Sequence, residues 1–307
     1  MSNIDANRIY LSECSGFNLN RLHNNPIIAP INRGDVPMYS TTELKSVIVD
    51  PSSERNKEKL VDVTAYGIKS VAYYKYCAAN NPTYNSNIDG APDIIYAREG
   101  VCQQLNKANN ILSPLGLELV VFDAHRSPAT QKKLYMYFLG IAYQKGYKGD
   151  DAENYAAQYC SNPKGFDKNN PKTWTMHSTG AALDVYLMDK KTGRIVDMGE
   201  GYFDNPAPVT NTLYYEDMAE TKTLTPEQQD ALLARRILFN TMAAVGLDNY
   251  GSECYHFEYK GLINAKVQTV KGVQTNAEYG YIPSPLDEGK IKIISSLLHA
   301  KSKEKES

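Results

Sequence analysis

The sequence predicts an α+β protein with an antiparallel central sheet flanked by helices. Three observations predict it. Two long stretches carry apolar residues at helical spacing between clear start and stop signals. Three short apolar runs, LELVVF (117–122), GAALDVYLM (180–188) and CYHFEY (254–259), read as strands. Helices and strands follow one another without the regular βαβ rhythm that a parallel sheet requires.

The elements follow in chain order. Residues 1–60 are rich in Asn, Ser and isolated charges and show no sustained periodicity. They are expected to form an irregular extension packed on the core. The segment NNPTYNSNIDGAP (80–92) is dense in turn formers and reads as a loop. Val101, Leu105, Ala108 and Leu112 define a helix that Pro114 and Gly116 stop. After the 117–122 strand, Ser127 can cap free amides and Pro128 suits a first helical position, so a helix runs from there to about Gly146. A shorter helix is expected over 152–160 and a long loop over 161–174. DKKTG (189–193) is a hairpin-like turn from the 180–188 strand into RIVDM. Thr225, with Gln228 three places on, forms a capping box for a helix that Gly246 ends. The tail from about residue 300 is charged and expected to be disordered. The expected organisation is an extension over 1–60, a main domain over 61–260, and a C-terminal extension over 261–307 with a short helix.

Composition excludes several classes. With 307 residues, 42% of them apolar, the chain can bury a substantial core. A net charge of -2 and a pI near 6.2 offer no basic field for nucleic acid. No apolar run approaches the length of a membrane span, and the N-terminus shows no secretory pattern. A cytoplasmic protein without membrane partners is expected. The five cysteines are widely spaced, with no C-x-x-C pair, and read as reduced, mostly buried thiols. The 23 tyrosines suggest partly buried packing with hydroxyls reaching water, rather than a sugar-binding surface.

Three clusters carry chemistry. In TMHSTGAALD (175–184), a glycine and two alanines between His177 and Asp184 allow close backbone approach and a sharp entry to the strand. A carboxylate inside the apolar run at Asp184 is expensive to bury unless a cation meets it. A metal ion would serve, and so would an Asp–His hydrogen bond without metal. In ECYHF (253–257), residues three apart on a strand face opposite sides. Glu253 and His256 can therefore serve one site only if Glu253 lies in a turn before the strand, which Gly251 permits. Two histidines and one carboxylate leave a fourth tetrahedral position open, the arrangement of a catalytic rather than a structural site. In FDAHRSP (122–128), Arg126 sits between a buried strand and a capped helix. It can stabilise an oxyanion or simply pair with Asp123. His125 reads as a neighbour on the other face, not a ligand.

Together these motifs resemble the zinc D-Ala-D-Ala dipeptidases, the VanX-type branch of the D,D-peptidase family. DAHRSP (123–128) is similar to the family's first motif, with Ser127 inserted before the proline. TMHSTGAALD matches the second, with threonine in place of serine. ECYH (253–256) keeps the outer residues of the third and changes both aromatics. The helix RRILFNTMAAVGL (235–247) also resembles the family, and the likeness covers about residues 60–260. The resemblance implies a D,D-peptidase/hedgehog-like zinc fold holding one Zn2+ per chain. It implies His177, Asp184 and His256 as ligands, Glu253 as general base and Arg126 as transition-state stabiliser. It further implies Thr175 as a substrate contact and Asp204, in DMGEGYFD (197–204), as acceptor of the substrate's free amino group. The implied activity is hydrolysis of a small D-amino-acid dipeptide, D-alanyl-D-alanine. A cell-wall D,D-carboxypeptidase or endopeptidase, and a non-catalytic zinc module that binds peptide, are the competing readings. Oligomeric state is not legible.

Overall fold

Every residue of strand β6 (Ala182–Asp189) is buried in the computed structural model of the chain, which describes residues 4, 7–88, 90–273 and 275–285. A strand buried on both faces needs cover on both, and its sequence loses the polar alternation of a half-exposed strand. The other strands are β1 (Arg8–Ile9), β2 (Leu60–Asp62), β3 (Lys69–Ser70), β4 (Tyr96–Arg98), β5 (Leu117–Asp123), β7 (Ile195–Val196), β8 (Leu247–Asn249) and β9 (His256–Tyr259). The helices are α1 (Thr41–Leu44), α2 (Tyr73–Tyr76), α3 (Glu99–Leu112), α4 (Pro128–Gln144), α5 (Gly149–Ala157), α6 (Tyr214–Thr221), α7 (Pro226–Ala244) and α8 (Leu262–Val270).

The class is α+β, and the centre of the sheet is antiparallel. One edge of β6 pairs along its length with β5. Its other edge is shared: β9 pairs with Ala182, Leu183 and Asp184, and β7 with Met188. β8 extends the sheet beyond β9. Two of the edge pairings are parallel, β3 on β5 and β1 on β7, while β8 on β9 is antiparallel. Arg8 and Ile9, from the irregular N-terminal stretch, thus add a sheet edge. β2 and β4 form a separate two-stranded ribbon.

The predicted signals act where they were expected. Val101, Leu105, Ala108 and Leu112 on α3 are all fully buried, and Gly116 ends the following turn at φ 72°. Ser127 Oγ accepts from Thr130 N at 3.2 Å to start α4. Thr225 and Gln228 close the capping box of α7 at 3.3 and 3.0 Å. The short helix expected over 152–160 lies earlier, at Gly149–Ala157, with Asp150 and Asp151 in its first turn where the helix dipole favours acids. The 254–259 strand is shorter than expected and begins at His256. The Asn-rich N-terminal stretch holds a series of 3-10 turns. Asn18, Asn25 and Asn32 each accept a hydrogen bond from the amide two residues on, at 3.0, 3.0 and 2.9 Å.

Helices α3 and α7 pack on one another and on β5 and β6, around Leu105, Leu119, Leu183, Leu187, Ile237 and Leu238. An aromatic group lies beside the sheet: Phe122 meets Tyr186 at 4.7 Å and Tyr73 at 5.2 Å, and Phe203 meets Tyr255 at 5.1 Å. All five cysteines are free and buried. Among the described residues, no helix is long and apolar enough to cross a membrane. The charged tail from about residue 300 lies outside the described residues.

Candidate metal centre

Sheet register assembles the site. Asp184 on β6 stands opposite His256 on β9. On its other side it stands opposite Asp123 on β5, because a bulge between Val121 and Asp123 advances β5 by one residue. A bulge re-aims the side chains beyond it, and here it sets Asp123, Asp184 and His256 in a row across three strands. Cross-strand neighbours bring their Cβ atoms to about 4.5–5.5 Å, close enough for one small site.

His177 reaches this row from the 3-10 turn Met176–Thr179, which ends at Gly180 with φ 70°. A side chain at Gly180 would be strained at that φ, and its Cβ would lie 2.6 Å from Leu60 Cδ2. The glycine therefore lets the turn sit close to β2 and enter β6 directly. Glu253 lies in the turn between β8 and β9, and His256 N donates to its carbonyl at 3.1 Å. Ligand atoms of His177, Asp184 and His256 all come within 4.8 Å of one another, and all three residues are buried. His177 Nε2 is 3.6 Å from Asp184 Oδ2, and His256 Nδ1 is 3.0 Å from Asp184 Oδ1 and 3.4 Å from Glu253 Oε2.

These residues fit a metal ion. His177 Nδ1 donates to the Ala124 carbonyl at 2.7 Å, which leaves the Nε2 lone pair facing Asp184. Metal-bound histidines are oriented in this way, through the nitrogen that does not bind. Asp184 Oδ1 is buried and has no hydrogen-bond partner among the described residues; His256 Nδ1 is near it but out of line. An orphaned buried carboxylate oxygen is costly unless a cation meets it. The electrostatics agree. Burial raises the Asp184 carboxyl to about 6, with His256 pulling it down and Glu253 and Asp123 pushing it up. His256 is raised despite its burial, because the Asp184 and Glu253 carboxylates attract a proton there. Burial, then the charge of Arg126, lowers His177 well below its ordinary value. The carboxylates thus call for a positive charge at this point; a bound metal ion would supply it in place of a proton on His256, and both imidazoles would then be neutral, as metal ligands must be.

Arg126 faces the same space but is tightly held. Its Nε donates to Asp123 at 2.8 Å, Nη1 to Gln131 at 3.0 Å and Nη2 to Tyr74 at 3.0 Å, and Nη2 lies 3.9 Å from Asp184 Oδ2. The Asp123 pair weighed from sequence is present, and it points the guanidinium at the cluster. Asp204 sits in the left-handed region at φ 55°, an uncommon state for a residue with a side chain. Its Oδ2 accepts from Tyr74 at 2.9 Å and from Tyr84, and its Oδ1 accepts a 3.4 Å bond from Tyr255. Burial, then the charges of Asp184 and Glu253, raise it to about 7, against the hydrogen bond from Tyr84.

Asp204, Thr175, Arg126 and Glu253 line one cavity of about 60 Å3 together with His177, Asp184 and His256. It is flanked by grooves of about 240 Å3 toward Trp174 and about 250 Å3 beyond Asp204. Thr175 Oγ1 is buried without a hydrogen-bond partner among the described residues. His125 turns away from the cluster: its Nε2 donates to the Ile282 carbonyl at 2.9 Å. Sequence reasoning missed Tyr74, Tyr84 and Gln131. Tyr84 lies in the segment read only as a turn-rich loop, and Tyr74 and Gln131 belong to no motif.

The sequence pattern of the D-ala-D-ala dipeptidase family matches residues 56–271. A D-alanyl-D-alanine dipeptidase of Synechocystis is 29% identical over 229 residues, covering 72% of this chain and 89% of the relative. One from Streptomyces coelicolor is 27% identical over 203 residues, covering 65% and 90%. Among solved structures, VanYB in complex with D-alanine-D-alanine is 14% identical with a TM-score of 0.31, over 58% of this chain and 80% of that one. The vancomycin-resistance D,D-pentapeptidase VanY in complex with Zn(II) is 12% identical with a TM-score of 0.33, over 77% and 97%.

Proposed function

The chain belongs to the D-Ala-D-Ala dipeptidase family, and from that premise we propose that it is a zinc metallopeptidase that hydrolyses D-alanyl-D-alanine to two molecules of D-alanine. The observation that carries the reading is the convergence of His177, Asp184 and His256 on one buried point, with Glu253 beside it. These three residues would hold the ion. Two nitrogens and a carboxylate oxygen suit zinc and leave a coordination position open. When bound, zinc polarises a carbonyl and lowers the pKa of water from about 15.7 to about 7.

The remaining chemistry belongs to the protein. Glu253 is the general base. Its carboxylate takes a proton from the attacking water and delivers it to the leaving nitrogen. It is the carboxylate of the cluster that stays partly exposed, at 36%, so it can meet solvent and substrate. Arg126 holds a fixed positive charge toward the carbonyl oxygen as negative charge develops there. Such a donor contributes about 3–4 kcal/mol when lost singly. Its ties to Asp123, Gln131 and Tyr74 mean that little reorganisation accompanies the reaction.

Asp204 receives the substrate ammonium at Oδ1, since Oδ2 already takes two phenols. A charged amino group gains an ion pair there, whereas an acylated nitrogen would leave a carboxylate without a cation. This supports preference for a free dipeptide over a cell-wall peptide. Thr175, with its unpartnered hydroxyl at the border of the cavity and the Trp174 groove, contacts the substrate from the other end.

The test is a parallel assay of D-alanyl-D-alanine, the tripeptide and the N-acetylated dipeptide, with and without a chelator. The free dipeptide is expected to be cleaved preferentially and the chelator to abolish turnover. Equal cleavage of the acetylated peptide would refute the dipeptidase assignment, and turnover that survives metal removal would refute the metal mechanism.

A further inference from the structure

The backbone of the His177 turn is gripped from three distant parts of the chain. Arg126 N donates to the His177 carbonyl at 3.2 Å, and Ile282 N donates to Ser178 at 3.2 Å. Arg98 takes the next two: its Nε donates to Thr179 at 2.8 Å and its own amide to Gly180 at 3.0 Å. Four consecutive carbonyls are therefore held by donors from β4, from the loop before α4, and from a segment close to the C-terminal end of the described residues.

Arg98 ties the first and last of these segments together. It is 1% exposed, and its guanidinium makes four hydrogen bonds, all to backbone carbonyls. Besides Thr179 these are Asn56 at 3.1 Å, Glu58 at 2.7 Å and Gly280 at 2.8 Å. The Tyr279 ring lies 5.3 Å from its centre. Burying a guanidinium opposes its charge, and burial lowers Arg98 to about 10. A charge so placed is tolerated only because the fork geometry satisfies several carbonyls at once. Lysine could not reproduce it.

The strap Tyr279–Ile282 is clamped in turn. Gly280 N donates to Asn56 Oδ1 at 2.6 Å, and the Ile282 carbonyl accepts from His125, the neighbour of Arg126. Ile282 thus touches both turns that feed the site, one carrying His177 and one carrying Arg126. The strap lies beyond the family-matched residues 56–271.

We infer that Arg98 and the strap at Gly280–Ile282 are positioning residues for the metal ligand His177. They hold its turn so that Nε2 meets Asp184 and His256 without local rearrangement. This rests on the metal reading given above. Outer-shell partners of metal ligands typically account for roughly 10- to 100-fold in metal affinity.

The test measures zinc affinity by competition with a chromophoric chelator, and the absorption bands of the cobalt(II)-loaded protein. The proteins are wild type, Arg98→Lys, Ile282→Pro and the exposed control Val273→Ala. Ile282 already precedes Pro283, so its backbone favours the extended region that proline also adopts. Ile282→Pro deletes the N–H to Ser178 and keeps the carbonyl that His125 uses. Arg98→Lys and Ile282→Pro are expected to bind zinc roughly 10- to 100-fold more weakly while folded, with shifted cobalt bands, and Val273→Ala to match wild type. If Arg98→Lys does not fold, Ile282→Pro decides alone. Zinc affinity within about twofold of wild type and unshifted bands in the folded variants would overturn this inference while leaving the metal reading intact. A wild-type chain that binds neither metal overturns both.

Discussion

Replacing His125 by glutamine isolates one buried titration and measures what it contributes. His125 is 5% exposed, donates to the Ile282 carbonyl, and lies near the positive charge of Arg98. Burial lowers it from 6.5 to about 4. Above the unfolded value both states hold a neutral ring. As pH falls below it, the unfolded chain binds a proton that the folded chain refuses, so stability is lost between 6.5 and about 4. Each unit is about 1.4 kcal/mol, so at about pH 5 the loss is roughly 2 kcal/mol. Glutamine can still donate to Ile282 and does not titrate. Its packing cost appears at every pH and cancels in the comparison. The assay is urea unfolding of both proteins in chelator, at about pH 7.5 and about pH 5, which brackets the transition. The wild type is expected to lose roughly 2 kcal/mol more than the variant between the two conditions. With a urea slope of about 2–3 kcal/mol/M, the gap between midpoints changes by about 0.7–1 M. The same gap at both pH values would refute the claim that the folded protein keeps His125 neutral.

Two further outcomes are expected. Glu253→Gln preserves shape and removes the proton acceptor, so kcat should fall by about 10²–10⁴ with zinc stoichiometry unchanged; wild-type turnover would remove Glu253 from the base role. Gly180→Ala introduces a side chain at φ 70° with a Cβ 2.6 Å from Leu60 Cδ2. It should destabilise the protein by about 1–3 kcal/mol, read by denaturant titration, and an unchanged midpoint would contradict the close packing of the His177 turn on β2.

The long elements were legible because each combined periodicity with local punctuation. The apolar spacing of α3 and the capping box of α7 depend on contacts within a few residues, and such signals survive without knowledge of the fold. The elements not foreseen were short or lacked punctuation. β1 and β3 are two residues each, too brief for any period, and exist because a neighbouring strand offers hydrogen bonds; β7 is as short and was legible only through the hairpin-like turn that leads into RIVDM. The 3-10 turns of the N-terminal stretch were hidden in a composition that reads as irregular, although their Asn caps are local. The bounds of the short helix expected within 261–307 were not legible, and α8 starts without a capping residue of its own: Glu258, on the preceding strand, accepts from Ile263 N at its first turn.

The site divides in the same way. His177, Asp184, Glu253 and His256 stood out because polar side chains of metal-binding type sit among glycines or apolar residues, where burial without a partner is costly. Tyr74 and Tyr84, which hold Asp204, and Gln131, which holds Arg126, carried no such signal.

The amino-acid sequence by itself determined which residues can do chemistry here, and where helices start and stop, because donor chemistry and capping are properties of a few adjacent residues. Tertiary structure alone decided their mutual geometry. The bulge in β5, the splitting of one edge of β6 between β7 and β9, and the strap that reaches Ser178 all depend on hydrogen bonds between segments far apart in the chain. A backbone donor is the same group at nearly every residue, so no residue type reveals which distant carbonyl it will find.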